Sequence, residues 1–312
     1  MPMDVLSEVL GALRLEGTLY FTTEFRRPWG VRVPPHGNVA RFHLVLRGTC
    51  WVETGGQPEP VRLESGDLVL VPHGAEHVLS DPPGTPSPAV DEVIQRSGFT
   101  GRGALIHGGP DQGHPTRLLC GHFAFDAGSA AHPLLEQLPS RIVIRQEDAA
   151  RHARVDDMVR LIVQEARGQG PGRDAVVQRL SEVLFIQALR AWSEGAGAGS
   201  GLMAALADPQ LARGLAAVHT APGRPWTLEE LARQAGLSRT VFAERFRARM
   251  GRTPMQYVTF WRVEHACRLL RDGQCTVDDV AGRVGYRSPA AFHRAFRKWV
   301  GRSPGEYRRS HA

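Results

Sequence analysis

The spacing of apolar positions changes character along the chain. Between residues 18 and 125, short stretches alternate apolar and polar positions or run apolar for four or five residues. Phe42-His-Leu-Val-Leu46 and Asp67-Leu-Val-Leu-Val71 are examples. Glycines and prolines separate these stretches, so the region reads as the strands of an antiparallel sandwich or barrel. From residue 134 to 194 the period lengthens to that of a helix, most clearly over Val155–Arg167 and Asp174–Glu194. The second helix carries Val176, Val177, Leu180, Val183, Leu184, Phe185, Ile186, Leu189 and Trp192, more than one stripe can hold. It should bury one face on the barrel and another on a second copy of the chain, unless it is wholly internal. Gly195-Ala-Gly-Ala-Gly-Ser-Gly201 then reads as a flexible linker. Its glycines miss the G-x-G-x-x-G spacing of a dinucleotide loop, and no strand precedes them.

The last third repeats one helical pattern. Thr227–Tyr257 laid over Thr276–Tyr307 sets Ala232, Gly236 and Leu237 on Ala281, Gly285 and Tyr286. After one inserted residue, Ser238, Phe242, Phe246, Arg247, Gly251, Arg252, Pro254 and Tyr257 fall on Ser288, Phe292, Phe296, Arg297, Gly301, Arg302, Pro304 and Tyr307. That many register-locked matches mark a duplication. In each copy a threonine (Thr227, Thr276) caps a short helix, and a glycine (Gly236, Gly285) ends it with positive φ. A serine (Ser238, Ser288) then caps a second helix, and Pro289 suits the first helical position. Two short helices joined by a glycine turn make a helix-turn-helix, whose second helix enters the major groove of DNA.

Helical spacing separates the two sides of each recognition helix. Phe242, Phe246 and Met250 should be buried in the first, leaving Arg239, Thr240, Ala243, Glu244 and Arg247 outward. Phe292, Phe296 and Val300 should be buried in the second, leaving Pro289, Ala290, His293, Arg294 and Arg297 outward. Arginine or histidine there can donate to guanine, and glutamate can accept from cytosine. Arg287, Arg297, Lys298 and Arg302 are better placed to hold phosphates. A helix over Met255–Leu270, about 24 Å long, would hold the two recognition helices about one turn of DNA apart.

Charge sharpens this reading. Residues 226–312 hold 17 Arg and Lys against 8 Asp and Glu, a balance of +9, whereas residues 1–225 stand at −3. A basic block on a mildly acidic body points to a polyanion, nucleic acid before a membrane surface. The plain alternative is a solvated basic face without a partner. Lys298 is the only lysine, which excludes the Gly-Lys-Ser/Thr of a P-loop and any Schiff-base chemistry short of Lys298 itself. No His-Glu-x-x-His or Gly-x-Ser-x-Gly motif occurs either. The chain's 312 residues, 42% hydrophobic and 22% charged, suit a globular protein of two domains. No apolar run approaches the roughly 18 residues of a membrane span. Asp4 and Glu8 argue against a secretory signal, and four scattered cysteines make no disulfide framework. The cytoplasm is the expected location.

Residues 226–312 resemble the paired helix-turn-helix domain of the AraC/XylS family of bacterial transcription regulators. Leu231-Ala232, Gly236-Leu-Ser238, Phe242-x-x-x-Phe246, Ala281-x-x-x-Gly285-Tyr-x-Ser288, Phe292-x-x-x-Phe296 and Gly301-x-Ser-Pro304 carry the likeness. The resemblance implies sequence-specific promoter binding, with Arg294 at a base-contacting position, control of transcription with activation and repression both open, and RNA polymerase as a further partner. Ala243 and Glu244 stand where some relatives have long donor side chains, so the first repeat's base preference stays open.

The N-terminal part resembles the cupin-type sensor of one branch of that family. Phe42-His43, Gly48-Thr-Cys50-Trp51 and Gly66-Asp-Leu-Val-Leu-Val-Pro72-His-Gly74-Ala-Glu-His77 carry this second likeness, with Gly108-Gly109 and Cys120-Gly121 beyond. His43 and His77, with Cys50, Cys120 or His122, would line its cavity. They would serve either as structural or ligand-facing polar groups or as ligands of a divalent metal, zinc or iron. Catalytic cupins carry His-x-His and a following glutamate on the first strand, where this chain has Arg41 and His43. A redox role for Cys50 or Cys120 competes with the plain reading of a buried small apolar side chain.

The expected architecture is an α+β multidomain protein. A cupin-like sensor β-barrel spans 1–133, a helical dimerisation segment 134–194, a flexible linker 195–204, and an all-α double helix-turn-helix DNA-binding domain 205–312. The expected function is a homodimeric regulator responding to a small-molecule effector, a metal or an oxidant. The alternative is a cupin metalloenzyme with an appended DNA-binding domain.

Overall fold

The computed structural model describes residues 4–13, 15–56, 59–101, 103–110, 113–125, 132–168, 170–194 and 199–311. Helix α1 (Val5–Leu13) is followed by strands β1 (Glu16–Arg26), β2 (Trp29–Val33), β3 (Val39–Arg47) and β4 (Thr49–Thr54). Next come β5 (Val61–Glu64), β6 (Leu68–Val71), β7 (His77–Asp81), α2 (Val90–Ser97), β8 (Ala104–Gly108), β9 (Arg117–Ala124) and β10 (Ile142–Ile144). The rest is helical: α3 (Ala149–Arg167), α4 (Arg173–Glu194), α5 (Gly201–Ala207), α6 (Pro209–Thr220), α7 (Leu228–Ala235) and α8 (Arg239–Met250). Last come α9 (Pro254–Asp272), α10 (Val277–Arg283), α11 (Pro289–Val300) and α12 (Pro304–Arg309).

Two compact units result, residues 15–127 with 138–197, and residues 1–14 and 128–137 with 198–312. These are not the expected partitions at 133, 194 and 204. Helix α1 packs on α6, and Glu8 lies 3.5 Å from Arg268. Glu136 pairs with Arg252, while His132 meets the rings of Phe260 and Trp261. Two stretches from the N-terminal part of the sequence are therefore built into the helical unit. Of the expected linker, residues 195–198 lie outside the described residues, and Gly201 onward is helix α5.

The strand unit is a sandwich of two sheets. The larger has the order β10-β6-β3-β9-β1-β8, the smaller β2-β7-β4-β5. Pairing is antiparallel except between β1 and β8, because β8 comes back after the second sheet and α2, running the same way as β1. Phe25, Val45, Val69, Leu105, Leu118 and Cys120 from the larger sheet meet Trp29, Val31, Cys50, Val52, Leu63 and Leu79 from the smaller in one core. Strand β3 is buried on both sides. On its outer side Phe42 stacks on Phe123, which meets Phe185 of α4. A Cβ on Gly17 would stand 2.7 Å from that of Ser181, so glycine is what lets α4 lie against β1. This helix is not wholly internal: Val176 and Val183 are 44% and 39% exposed, as is Leu161 of α3 at 45%.

In the helical unit the duplication is realised as two helix-turn-helix motifs on a central α9, which packs against both. Thr227 with Glu230 and Thr276 with Asp279 form reciprocal caps at the starts of α7 and α10. Gly236 (φ 70°) caps the end of α7; the cap of α10 comes one residue earlier, at Val284, and Gly285 (φ 86°) makes the turn just beyond. Ser238 and Ser288 cap α8 and α11, with Pro289 at the first helical turn. Among the described residues no helix is long and apolar enough to cross a membrane.

Candidate nucleic-acid interface and interior polar cluster

The recognition helices α8 and α11 are oriented by their aromatic sides. Phe242, Phe246 and Met250 are buried in the first, Phe292 and Phe296 in the second, while Val300 is half-buried rather than buried. The opposite sides carry the expected residues. Arg239, Thr240, Glu244 and Arg247 are exposed and Ala243 half-buried; Arg287, Ala290, His293, Arg294, Arg297 and Lys298 are all exposed. Among the described residues, no hydrogen bond or ion pair holds the side chain of Arg239, Arg247, Arg287, Arg294, Arg297 or Lys298. These cations are hydrated, and their N–H groups are available to an acceptor.

Other arginines nearby are already committed. Arg245 lies 2.7 Å from Asp208 and donates to Gln210, tying α8 to the start of α6. Arg302 donates to Ser310 and lies over the Tyr307 ring, so it packs the C-terminus instead of standing free for a phosphate. Arg233, which periodicity did not single out, lines an open groove along the first turn with Glu229, Ser238 and Arg239. Its signal in the sequence was a basic residue three positions before the turn glycine Gly236.

The sandwich brings three of its five candidates into contact. His43 Nε2 lies 2.8 Å from His77 Nε2, and His43 Nδ1 lies 3.2 Å from Cys120 Sγ. His77 Nδ1 is 2.8 Å from the carbonyl oxygen of Ala75. A carbonyl only accepts, so the chain of protons has one direction. His77 Nδ1–H donates to Ala75, His43 Nε2–H donates to His77, and the Cys120 thiol donates to His43 Nδ1. Both imidazoles are then neutral. Burial favours that state, holding His43 well below 6.5 and His77 at about 4, and pushes the Cys120 thiol up to about 12. Since the two ring nitrogens of His43 face different partners, one metal ion cannot take all three side chains. Among the described residues no group of three or more His, Cys, Asp and Glu side chains is arranged to hold a metal.

Cys50 is fully buried in the core between the sheets, where burial and then the neighbouring Cys120 raise its thiol pKa. Such a thiol holds its proton and is a poor nucleophile. His122 lies farther along the Cys120 side of β9, half-buried, with its pKa lowered by burial and then by Arg41. Arg41, noted in the sequence only as a departure from a ligand pattern, is itself inside this end of the sandwich at 9% exposure.

Comparison with known proteins gives consistent matches over both units. Residues 4–194 match the family described as cupin, and residues 231–310 match the family described as helix-turn-helix domain. The chain is 34% identical to an AraC-like transcription regulator of Streptomyces lividans, covering 98% of each chain. It is 29% identical to the transcriptional regulator AlkR of Acinetobacter baylyi over 98% of this chain and 99% of that one. With RclR of Escherichia coli, named as a transcriptional activator specific for RCS, it shares 28% over 98% of this chain and 97% of that one. Among solved structures, the DNA-binding domain of AdpA in complex with a target DNA matches 33% of this chain and 93% of its own. That match has 39% identity and a TM-score of 0.32.

Proposed function

The chain belongs to the AraC-like transcription regulators, with a cupin part and a helix-turn-helix part that binds DNA, and we propose how its residues divide that work. Arg239, Thr240, Ala243, Glu244 and Arg247 of the first repeat and Ala290, His293 and Arg294 of the second read base edges. Arg287, Arg297 and Lys298 hold phosphates. The observation that carries this reading is the pair of recognition helices whose outward cations have no partner while every large apolar residue but Val241 turns inward. Footprinting of the full chain on the DNA upstream of its own gene tests it. Protection of two adjacent major-groove segments supports the assignment, and binding without sequence preference overturns it.

The exposed apolar residues of α3 and α4 support a homodimer. Val176, Leu180 and Val183 fall on one stripe of α4, and Leu161 of α3, which packs on α4, is exposed as well. A dimer in sedimentation at micromolar concentration that dissociates in Val183→Asp is the expected result; a wild-type monomer rules the interface out. The sandwich serves as the sensor, a small-molecule effector is its ligand, RNA polymerase is the protein partner on DNA, and the cytoplasm is the compartment. We read no reaction into the sandwich: His43, His77 and Cys120 bond to one another, and the relatives are named as regulators.

A further inference from the structure

The sandwich contains one charged side chain that its own packing does not explain. Arg41 is on the interior side of β3, two residues before His43, and is nine-tenths buried. Its neighbours across the sheet are Val71 of β6 and His122 of β9. The Arg41 Nε is buried without a hydrogen-bond partner, and among the described residues no carboxylate pairs with the guanidinium. The other buried charges of this unit are matched: Asp67 lies 2.8 Å from Arg145, and Asp81 lies 3.1 Å from Arg27. Instead of an anion, Arg41 has histidines nearby, and its charge disfavours protonation of His43, His77 and His122 alike. A mostly buried guanidinium with an unbonded Nε and no counter-charge opposite is unfavourable, and its remaining N–H groups are left open to an anion that arrives from outside.

We propose that Arg41 anchors a small ligand bearing a carboxylate, bound at the His43–His77 end of the sandwich interior. The inference rests on the reading of the sandwich as the sensor and names the chemical class of its effector. A guanidinium meets a carboxylate with two parallel N–H···O bonds, a fit that a lone lysine would not give. The surrounding histidines are neutral, so the site offers a single positive charge and matches a monoanion; a phosphate dianion would leave one charge uncompensated. The proton of His43 is already given to His77 and that of His77 to Ala75, which makes these rings a wall beside the head group and not donors to it. Val71 beside Arg41 and Val33 beside His77 are buried and apolar, which suits a ligand whose body is apolar. The exposed residues 35–38 lead into β3 at this end.

The test uses the full chain, with acetate, benzoate and octanoate as probes and benzamide, octanol and inorganic phosphate as controls. Binding is read by titration calorimetry and by the shift in Tm. At least one carboxylate should bind and raise Tm, and its neutral counterpart and phosphate should not. Arg41→Met should weaken that binding by about 10- to 100-fold, the worth of a charge-assisted bond. It should not lower the Tm of the ligand-free protein, since it removes an unpaired charge. Arg41→Lys should recover only part of the affinity. No carboxylate binding to the wild type, equal binding to Arg41→Met, or equal binding of phosphate overturns the proposal. So does a ligand-free Arg41→Met that melts like a core lesion while Arg41→Lys does not. Binding to the DNA upstream of its own gene is measured on the same samples. If sequence-specific DNA binding persists and carboxylates fail, only this inference falls; if the wild type shows no sequence preference, the regulator reading falls instead.

Discussion

At matching positions of α8 and α11, the first repeat presents Arg239, Thr240, Ala243 and Glu244, and the second presents Pro289, Ala290, His293 and Arg294. The inner sides of the same helices scarcely differ. Each buries two phenylalanines to 2% exposure or less, each starts on a capping serine, and each ends on a left-handed glycine, Gly251 or Gly301. Packing allows few side chains at a fixed volume, whereas a solvated surface accepts almost any, so duplicated helices stay alike where they touch α9 and diverge where they face solvent. The divergence is chemical. Glu244 can only accept a hydrogen bond, and Arg294 at the same register can only donate, so the two outward faces offer opposite hydrogen-bonding chemistry.

The largest effect expected on this comparison comes from its shared side. Phe246→Ala and Phe296→Ala should each cost about 3–5 kcal/mol, the usual penalty for emptying a fully packed aromatic site. Denaturant unfolding of the helical unit would show it, and a tolerated loss in one repeat would show that the two cores are not equivalent.

Acid should separate the repeats next. His219 donates to or accepts from Tyr257, which packs on Phe246, and His132 lies against Trp261. Burial lowers their pKa to about 4 and about 3 from 6.5. Both rings stay neutral in the folded unit, and the unfolded chain takes up protons that the folded one refuses. Their contribution is complete above pH 6.5 and declines as pH falls from 6.5 toward 4. Among the described residues, the histidines that touch the core around Phe292 and Phe296 are His293 on Phe292 and His311 on Tyr307, and both are exposed instead of buried. Amide exchange should therefore lose protection around Phe242 and Phe246 at a higher pH than around Phe292 and Phe296; loss at the same pH contradicts the assignment.

Base preference sharpens the outer difference. Arg294→Ala should cost about 1–3 kcal/mol at one base pair and flatten selection there. Glu244→Ala should remove a like charge from the DNA face, so binding to all sequences tightens while preference at its own base pair is lost. Selection from random DNA reads both, and an unchanged preference in Arg294→Ala would take α11 out of the groove. The smallest effect belongs to Lys298→Ala. It should weaken every sequence alike and reduce the salt slope of binding by about one, as measured by titration across salt concentrations.

Much of the helical unit was legible in the sequence because its signals are local. A capping threonine or serine, a glycine turn and a phenylalanine every fourth residue act within one or two turns, and all fell where expected except that α10 is capped by Val284, one residue before Gly285. The inward side of α11 was misread at Val300, where the helix runs out and no neighbour covers the side chain fully. The free arginines could be named from spacing, but Arg245 and Arg302 look the same in the sequence. Only the fold showed the first tied to Asp208 and the second packed on Tyr307.

For the sandwich the balance is reversed. Strand segments and the residues His43, His77 and Cys120 could be picked out, yet which of them touch depends on strand register across two sheets. Sheet order, the parallel β1–β8 pair and the meeting of His43 with both His77 and Cys120 are contacts between residues far apart in the chain. So is the docking of α1 and residues 132–137 onto the helical unit. Arg41 shows the division most clearly. The sequence alone determined that an arginine precedes His43 by two, hence on the same side of a strand. Only the tertiary structure decided that this side faces inward with no carboxylate opposite, because burial and pairing belong to the whole packed interior and not to any one segment.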